Sequence, residues 1–465
     1  MSTPRAPSFL QAIVCFGGVI AIIACGLFFF AISLHSLMFL ALLWSGLNAY
    51  YVGHNYQSIR AAMSDSVSRA LPAIYIFILI GMVIASFMQS GTIATLIYYG
   101  LALLSPAYFL AAGLVLCALM SVATGTSWGT AGTMGLVLMG VGAAMGIPLP
   151  LVAGMVISGA TFGDKLSPIS DTTNLAAMSA GTDLYRHIQS MLMTTAPTFV
   201  LVFIVFLLIG QQYADGALAA GDLNAIQQAL AGHYQLSALV TLLPLLVMIL
   251  LSARRVEAEV AMSASIICAV VIALWYQNQQ LSVVLNALWS NTAPSTGIEN
   301  LDALLGRGGI SSMSWTLILA LMALALGGIL QVAGFLPVLL SGFIARLKRA
   351  TSLIAATMLC GLFGNMAMGE AYISIILNCQ LFRHSFEKKG IDPAVLSRSV
   401  EEGSTLTTGL IPWTTAGAFY AATLGVPVLD YAPYALLNYL NPLVSIAMAS
   451  LGLGLMKSAA TTKAP

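Results

Sequence analysis

The sequence predicts an all-α polytopic membrane protein with about ten transmembrane helices, arranged as two inverted repeats with two re-entrant hairpins and two discontinuous helices. Three observations predict it. The composition is unsuited to a water-facing surface, apolar runs of spanning length carry polar interruptions at corresponding places in the two halves, and basic residues fall in alternate loops.

Of 465 residues, 59% are hydrophobic and 7% charged, against about 25% charged in soluble domains. The lipid bilayer is therefore the first partner, and a net charge of +1 gives no reason to expect nucleic acid. Cys15, Cys25, Cys117, Cys268, Cys360 and Cys379 lie in apolar runs without a CxxC pair, which argues against a disulfide framework or a zinc site. They read as small buried hydrophobes. The first apolar run, 9–31, exceeds the roughly 7 to 15 residues of a signal-peptide core and reads as a retained span.

In order, spans are expected at 9–31, 34–51, 71–90 and 190–210 in a first repeat (1–210), then at 235–252, 259–276, 314–333 and 435–456 in a second (235–465). A connecting loop covers 211–234. Hairpins are expected at 107–146, around TGTSWGTAG, and at 352–382, around GNMAMGE. Broken helices are expected at 149–182, around FGDKLSPISDTTN, and at 394–425, around EEGSTLTTGLIPWTT. A displacement of 243 residues sets Ser127 on Glu370 and LIGMVIASFMQSG on MALALGGILQVAG, while 242 sets SDTT (170–173) on PWTT (412–415).

With a cytoplasmic N-terminus, alternation places 15 of the 17 basic residues inside, among them Arg255, Arg346, Lys348, Arg349, Lys457 and Lys463. Arg307 falls outside beside Glu299 and Asp302, and Lys165 lies in the broken helix. Both termini are then cytoplasmic in the cytoplasmic (inner) membrane. An odd number of crossings per half makes the repeats inverted, the plan of secondary transporters with a mid-membrane site.

The first break holds the chemistry. Gly163 permits a turn, Pro168 removes a donor, and Ser167, Ser170, Thr172 and Thr173 supply oxygens beside Asp164 and Asp171. Such hard-oxygen groups suit a bare small cation such as Na+, with Lys165 balancing charge. Asp164 also suits a helix cap or a pair with Lys165, and Asp171 a cap on the helix that follows; these roles can coexist. In the first hairpin, GTSWG (125–129) fits G-x-S-x-G, but that elbow needs a preceding strand and a His partner. An apolar helix precedes it, and His35, His54, His187, His233 and His384 are expected at span ends or in loops. No enzyme is expected. The hairpin reads instead as a tip exposing carbonyls beside Thr124, Thr126 and Ser127, or as glycines that pack helices closely. Glu370, at the second tip, reads as a third site acid or as packing. Glu401 and Glu402 open the second break, with a solvated cap near the inner surface as their plainer reading. Methionines and aromatics elsewhere are assigned no role.

Asp164, Asp171 and Glu370 against Lys165 favour a cation as cargo. An organic anion calls for a convergent arginine or exposed helix N-termini, and Arg398 is the arginine near a break. A passive channel needs a continuous polar pore, whereas the polar residues cluster at two breaks.

GTSWGTAGTMG, SGATFGDKLSPISDTTNLA and LSRSVEEGSTLTTGLIPWTTAGAFYAATLGVP together resemble the NhaC-type Na+/H+ antiporters of the ion transporter superfamily, over about residues 70–430. The chain departs from the family's acidic-Ser-Gly-Thr string with EEGST, and carries Thr414 where an Asn commonly follows the Pro-Trp pair. The resemblance implies Na+/H+ exchange with no cofactor beyond the transported ions, a mobile core moving against a scaffold, and a homodimer. It also leaves room for Na+- and proton-coupled exchange of small carboxylates such as malate and lactate. The expected cation and proton site is Asp164, Asp171, Glu370, Ser170, Thr172, Thr173, Thr126, Ser127 and Thr414, with Asp164 and Asp171 as Na+ ligands.

Overall fold

The computed structural model describes residues 5–69, 71–103, 105–214, 220–254, 256–292, 294–298, 301–302, 305–335, 337–339 and 349–456. Arg255, Glu299, Arg346, Lys348, Lys457 and Lys463, on which part of the charge asymmetry rests, lie outside them. The described residues are helical, with no β-strand. Helices occupy every expected span: Phe9–Phe28, Leu34–Tyr51, Leu71–Gln89, Leu184–Gln211, Leu243–Ala253, Ala258–Trp275, Ile310–Val332 and Leu436–Ser450. Among the described residues, five helices are long and apolar enough to cross a membrane, or up to seven if each bent pair is one span. Phe28, Leu47, Leu208, Leu250 and Trp275 turn outward, as lipid contact requires.

Tyr56–Arg69, Thr92–Leu103, Ala220–His233 and Leu281–Trp289 have no counterpart in the expected spans, and Ala220–His233 occupies much of the expected connecting loop 211–234; Tyr56–Arg69 is amphipathic, its apolar residues covering one face. It packs on Ile310–Val332 so closely that a Cβ on Gly328 would meet Ala62 O at 2.4 Å.

Both interrupted apolar stretches form antiparallel hairpins. In the first, Pro106–Thr124 turns back at Gly125 into a helix that runs from Ser127 through a π-helical segment, Ala131–Gly135, to Ala144. A Cβ on Gly142 would lie 3.2 Å from Phe109, and one on Gly113 would lie 3.4 Å from Leu138. In the second, Ala350–Met368 turns at Gly369 into Ala371–Lys388, where Ser374 Oγ donates to Gly361 O and Asn378 Nδ2 to Thr357 O, each at 3.1 Å. Gly125 (φ 71°) and Gly369 (φ 66°) are both left-handed, a conformation that glycine adopts without penalty.

The broken helices are Leu149–Leu166 with Asp171–Ala180, and Pro393–Thr408 with Thr415–Leu424. These elements coincide in the two halves at one displacement, 244 residues (369 less 125): Gly125 with Gly369, Leu149 with Pro393, Asp171 with Thr415, and Gly181 with Gly425. Helix contacts repeat at the same interval. A Cβ on Gly159 would meet Leu114 O at 2.5 Å, and one on Gly403 would meet Met358 O at 2.5 Å. At the hairpin tip and the break, the displacements of 243 and 242 are therefore corrected by one and two residues, whereas 243 holds for LIGMVIASFMQSG on MALALGGILQVAG, whose helices end at Gln89 and Val332 and turn at left-handed Gly91 and Gly334. Glu370 corresponds to Thr126 rather than Ser127, and Thr414 corresponds to Ser170. Gly163 is corrected as well: it lies inside a helix and serves close approach, since a Cβ there would meet Ala118 O at 2.2 Å. The break itself spans 167–170, with Pro168 as expected.

Cys15, Cys117, Cys360 and Cys379 are buried, whereas Cys25 is exposed and Cys268 half-buried on apolar helices; all six are free thiols.

Candidate functional site

Each hairpin tip docks on a helix break. At the first, a Cβ on Gly125 would meet Ile169 Cγ1 at 2.5 Å. At the second, Thr415 N donates to Gly369 O at 2.8 Å and Trp413 Nε1 to Met366 O at 2.9 Å. Four helix N-termini thereby converge, each closed by its own preceding side chain. Thr126 accepts from Gly129 N at 3.2 Å and Ser170 from Thr173 N at 3.4 Å. Glu370 accepts from Tyr372 N at 2.6 Å, and Thr414 from Gly417 N at 3.1 Å. Between them lies a cavity of about 610 Å³, lined by Thr126, Ser127, Asp164, Lys165, Asp171, Thr172, Glu370, Tyr372 and Tyr420, and reaching Ser66, Glu257 and Glu259.

Asp164 ends the first half of its broken helix, held by both neighbouring elements. Ser127 Oγ of the hairpin donates to one carboxylate oxygen at 2.8 Å, and Ser170 Oγ of the break donates to the other at 2.6 Å. Lys165 Nζ stands 3.4 Å from Asp164, donates to Thr172 Oγ1 at 2.6 Å, and reaches across to Glu401 Oε1 at 2.8 Å. An ammonium that is 1% exposed is tolerable only with such partners. Asp171 opens toward the cavity, accepting from Thr172 N at 2.7 Å and from the Tyr372 hydroxyl. Tyr372 thus ties the second hairpin to the first break.

The expected residues Asp164, Lys165, Asp171, Thr172, Thr126, Ser127 and Glu370 come together around the cavity. Ser170 joins them through Asp164. Two others turn away. Thr414 donates to Thr408 O at 2.6 Å, closing its own break, and Thr173 donates to Asp164 O at 3.2 Å from a buried position behind the cavity. Sequence reasoning missed the role of Glu401: Glu401 and Glu402 do not open the second break but lie inside Pro393–Thr408, and each is 0% exposed rather than a solvated cap. Glu401 holds Lys165 with one oxygen and accepts Thr405 Oγ1 at 3.2 Å, while His187 Nε2 lies 3.1 Å from the other. His187, expected near a span end, is fully buried. The available signal was a lone intramembrane lysine, which needs more counter-charge than its neighbouring aspartate supplies. Tyr372 and Tyr420 were also missed, because a tyrosine in an apolar run has no distinguishing pattern. Arg398 does not line the cavity; it donates to Ser190 O and Gly454 O at 3.3 and 3.0 Å and stands 3.9 Å from Glu402. Among the described residues, no cluster of three or more His, Cys, Asp or Glu is placed to hold a metal ion. The oxygen set around Asp164 is one carboxylate with two serine hydroxyls, hard oxygen donors by type.

Helical hairpins docked on broken helices around a charged cavity define a multi-pass membrane transporter. The sequence profile of the Na+/H+ antiporter family matches residues 4–173 and 159–453. The chain is 38% identical to the Na(+)/H(+) antiporter NhaC of Alkalihalophilus pseudofirmus, over 95% of each chain. It is 32% identical to the malate-2H(+)/Na(+)-lactate antiporter of Bacillus subtilis, over 94% of each. It is 33% identical to the arginine/ornithine antiporter ArcD of Halobacterium salinarum, over 96% of this chain and 93% of the relative. The chain belongs to the Na+/H+ antiporter family.

Proposed function

We propose that this chain is a secondary antiporter that exchanges Na+, or another small monovalent cation, for protons across the cytoplasmic membrane by alternating access. The observation that carries this reading is the charge in the cavity. Among its described lining residues, Asp164, Asp171, Glu257, Glu259 and Glu370 face the single base Lys165, and Lys165 is already bound by Glu401. A cation gains attraction from those carboxylates, and Ser127, Ser170 and Thr172 supply oxygens in place of its hydration shell. A proton competes because either positive charge relieves the same excess. An inward proton gradient then expels the cation.

Asp164, Asp171 and Glu370 are the cation-binding acids of this reading, and the hairpins with the broken helices are its moving part. The coincidence of elements at 244 residues and the asymmetry of basic residues support an inverted pair of repeats with both termini cytoplasmic. Assembly as a homodimer belongs to the same proposal. The test is purified protein in proteoliposomes carrying a pH gradient, to which Na+, Li+ and K+ are added in turn. Dissipation by Na+ is expected; indifference to all three overturns the reading.

One observation favours a second reading, Na+- and proton-coupled exchange of a small carboxylate: the convergence of four helix N-termini, whose partial positive charge suits an anion. Against it, no arginine is among the described lining residues. Malate and lactate in the same liposomes decide between the two.

A further inference from the structure

We propose that the exchanged proton is carried by His187, a buried site beside the cavity and separate from the cation-binding acids. This rests on the antiporter reading above. His187 lies in the first turn of Leu184–Gln211, is 0% exposed, and is not among the residues lining the cavity. Its Nε2 is 3.1 Å from Glu401 Oε2, and its Nδ1 is 2.5 Å from Ser397 Oγ. Glu401 extends the connection through Lys165, at 2.8 Å, to Asp164, 3.4 Å further on.

These partners accommodate both protonation states of the ring. A neutral imidazole has one N–H and one lone pair, whereas an imidazolium has two N–H groups. Glu401 accepts from Nε2 in either state. The Ser397 hydroxyl donates to Nδ1 when the ring is neutral and accepts from it when the ring is charged. Gain or loss of a proton therefore turns one hydroxyl and breaks no hydrogen bond.

Charge supplies the coupling. Asp164, Lys165 and Glu401 carry formal charges of −1, +1 and −1, a buried group one positive charge short of neutral. A proton on His187 neutralises it when the cavity holds no cation. A Na+ at Asp164 neutralises it when His187 is neutral. Within this buried group, holding both leaves a positive excess in a low-dielectric interior, since Asp171 is exposed and screened by solvent, so cation arrival expels the Nδ1 proton to the water at the Arg186 surface and the imidazolium becomes imidazole. The charged groups on the surrounding helices are Glu401, Glu402 and Arg398 on Pro393–Thr408, Asp164 and Lys165 on Leu149–Leu166, and Asp171 on Asp171–Ala180. Pro106–Thr124 and Leu436–Ser450, which also pack on this helix, bring no Asp, Glu, Lys, Arg or His. On its own helix, Asp183 caps the N-terminus. The preceding residue, Arg186, has a side chain 42% exposed and paired with Asp392 at 2.6 Å, so His187 stands one residue in from the surface.

The test compares two fluxes in proteoliposomes: Na+-driven proton movement across a pH series, and exchange of radiolabelled Na+ for unlabelled Na+, which moves no proton. His187→Gln keeps a hydrogen-bonding amide but carries no charge. It is expected to lower proton movement about tenfold or more while Na+/Na+ exchange stays within about twofold of the unaltered protein. Ser397→Ala is expected to displace the pH profile of proton movement and leave Na+/Na+ exchange in place. Unchanged proton movement in His187→Gln, or a parallel fall of both fluxes, overturns the assignment. Absence of both fluxes in the unaltered protein overturns instead the Na+ reading on which it rests.

Discussion

Lys165 Nζ lies 2.8 Å from Glu401 Oε1, so the first broken helix is joined to the second by an ion pair whose side chains are 1% and 0% exposed. Asp164 flanks the same ammonium at 3.4 Å and His187 the same carboxylate at 3.1 Å. The pair ties the two broken helices together and holds Lys165 beside the cavity.

This pair gives the first prediction. Removing one partner of a buried pair strands the other charge, at a cost of about 3 to 5 kcal/mol. Lys165→Met alone should lower the thermal midpoint in detergent by several degrees. The combination Lys165→Met with Glu401→Gln should recover most of that loss, although neither form should exchange cations. Equal midpoints for the single variant and the unaltered protein would show that the pair does not hold the two broken helices together.

Glu370 has two roles that one substitution separates. Its carboxylate caps Ala371–Lys388 through Tyr372 N and Ile373 N, at 2.6 and 3.3 Å, while it faces the cavity. Glu370→Gln keeps a capping oxygen and removes the charge, so stability should change by less than about 1 kcal/mol. The cation concentration for half-maximal flux should rise about tenfold or more, roughly 1.4 kcal/mol in binding. An unaltered concentration dependence in a folded variant would leave Glu370 as a cap alone.

Inversion of the repeats is tested where the displacement of 244 residues pairs two exposed N-caps, Ser105 and Arg349, each opening a hairpin. Single cysteines at these positions should react with a membrane-impermeant reagent from opposite sides of the membrane. Labelling from one side would contradict the inverted arrangement.

Most of the fold was legible because a bilayer imposes a length and an apolarity on each span, and both can be counted in the sequence. TGTSWGTAG and GNMAMGE, Pro168 and the clustered hydroxyls marked the tips and breaks by local backbone chemistry. Tyr56–Arg69 escaped because its pattern serves a surface and not a span. At the site, Asp164, Asp171 and Lys165 were readable because charge is rare in apolar runs. The partnership of Lys165 with Glu401 and His187 was not, since it joins residues 236 and 22 positions away through tertiary packing. The register of the repeat was off by one or two residues at the tip and the break, because capping roles there are held by different residue types, Thr126 against Glu370 and Ser170 against Thr414.

The proposed exchange of a cation for a proton turns on the charge of Asp164, held by Ser127 and Ser170 at 2.8 and 2.6 Å. Asp164→Asn keeps the size and much of the hydrogen bonding, because each serine hydroxyl can turn, and removes only the charge. The measurement is Na+-dependent proton flux in proteoliposomes across a pH series, with folding of the variant verified by thermal unfolding. Flux is expected in the unaltered protein, and its loss in Asp164→Asn at every pH. Near-normal flux with an unchanged pH profile in the folded variant would contradict it.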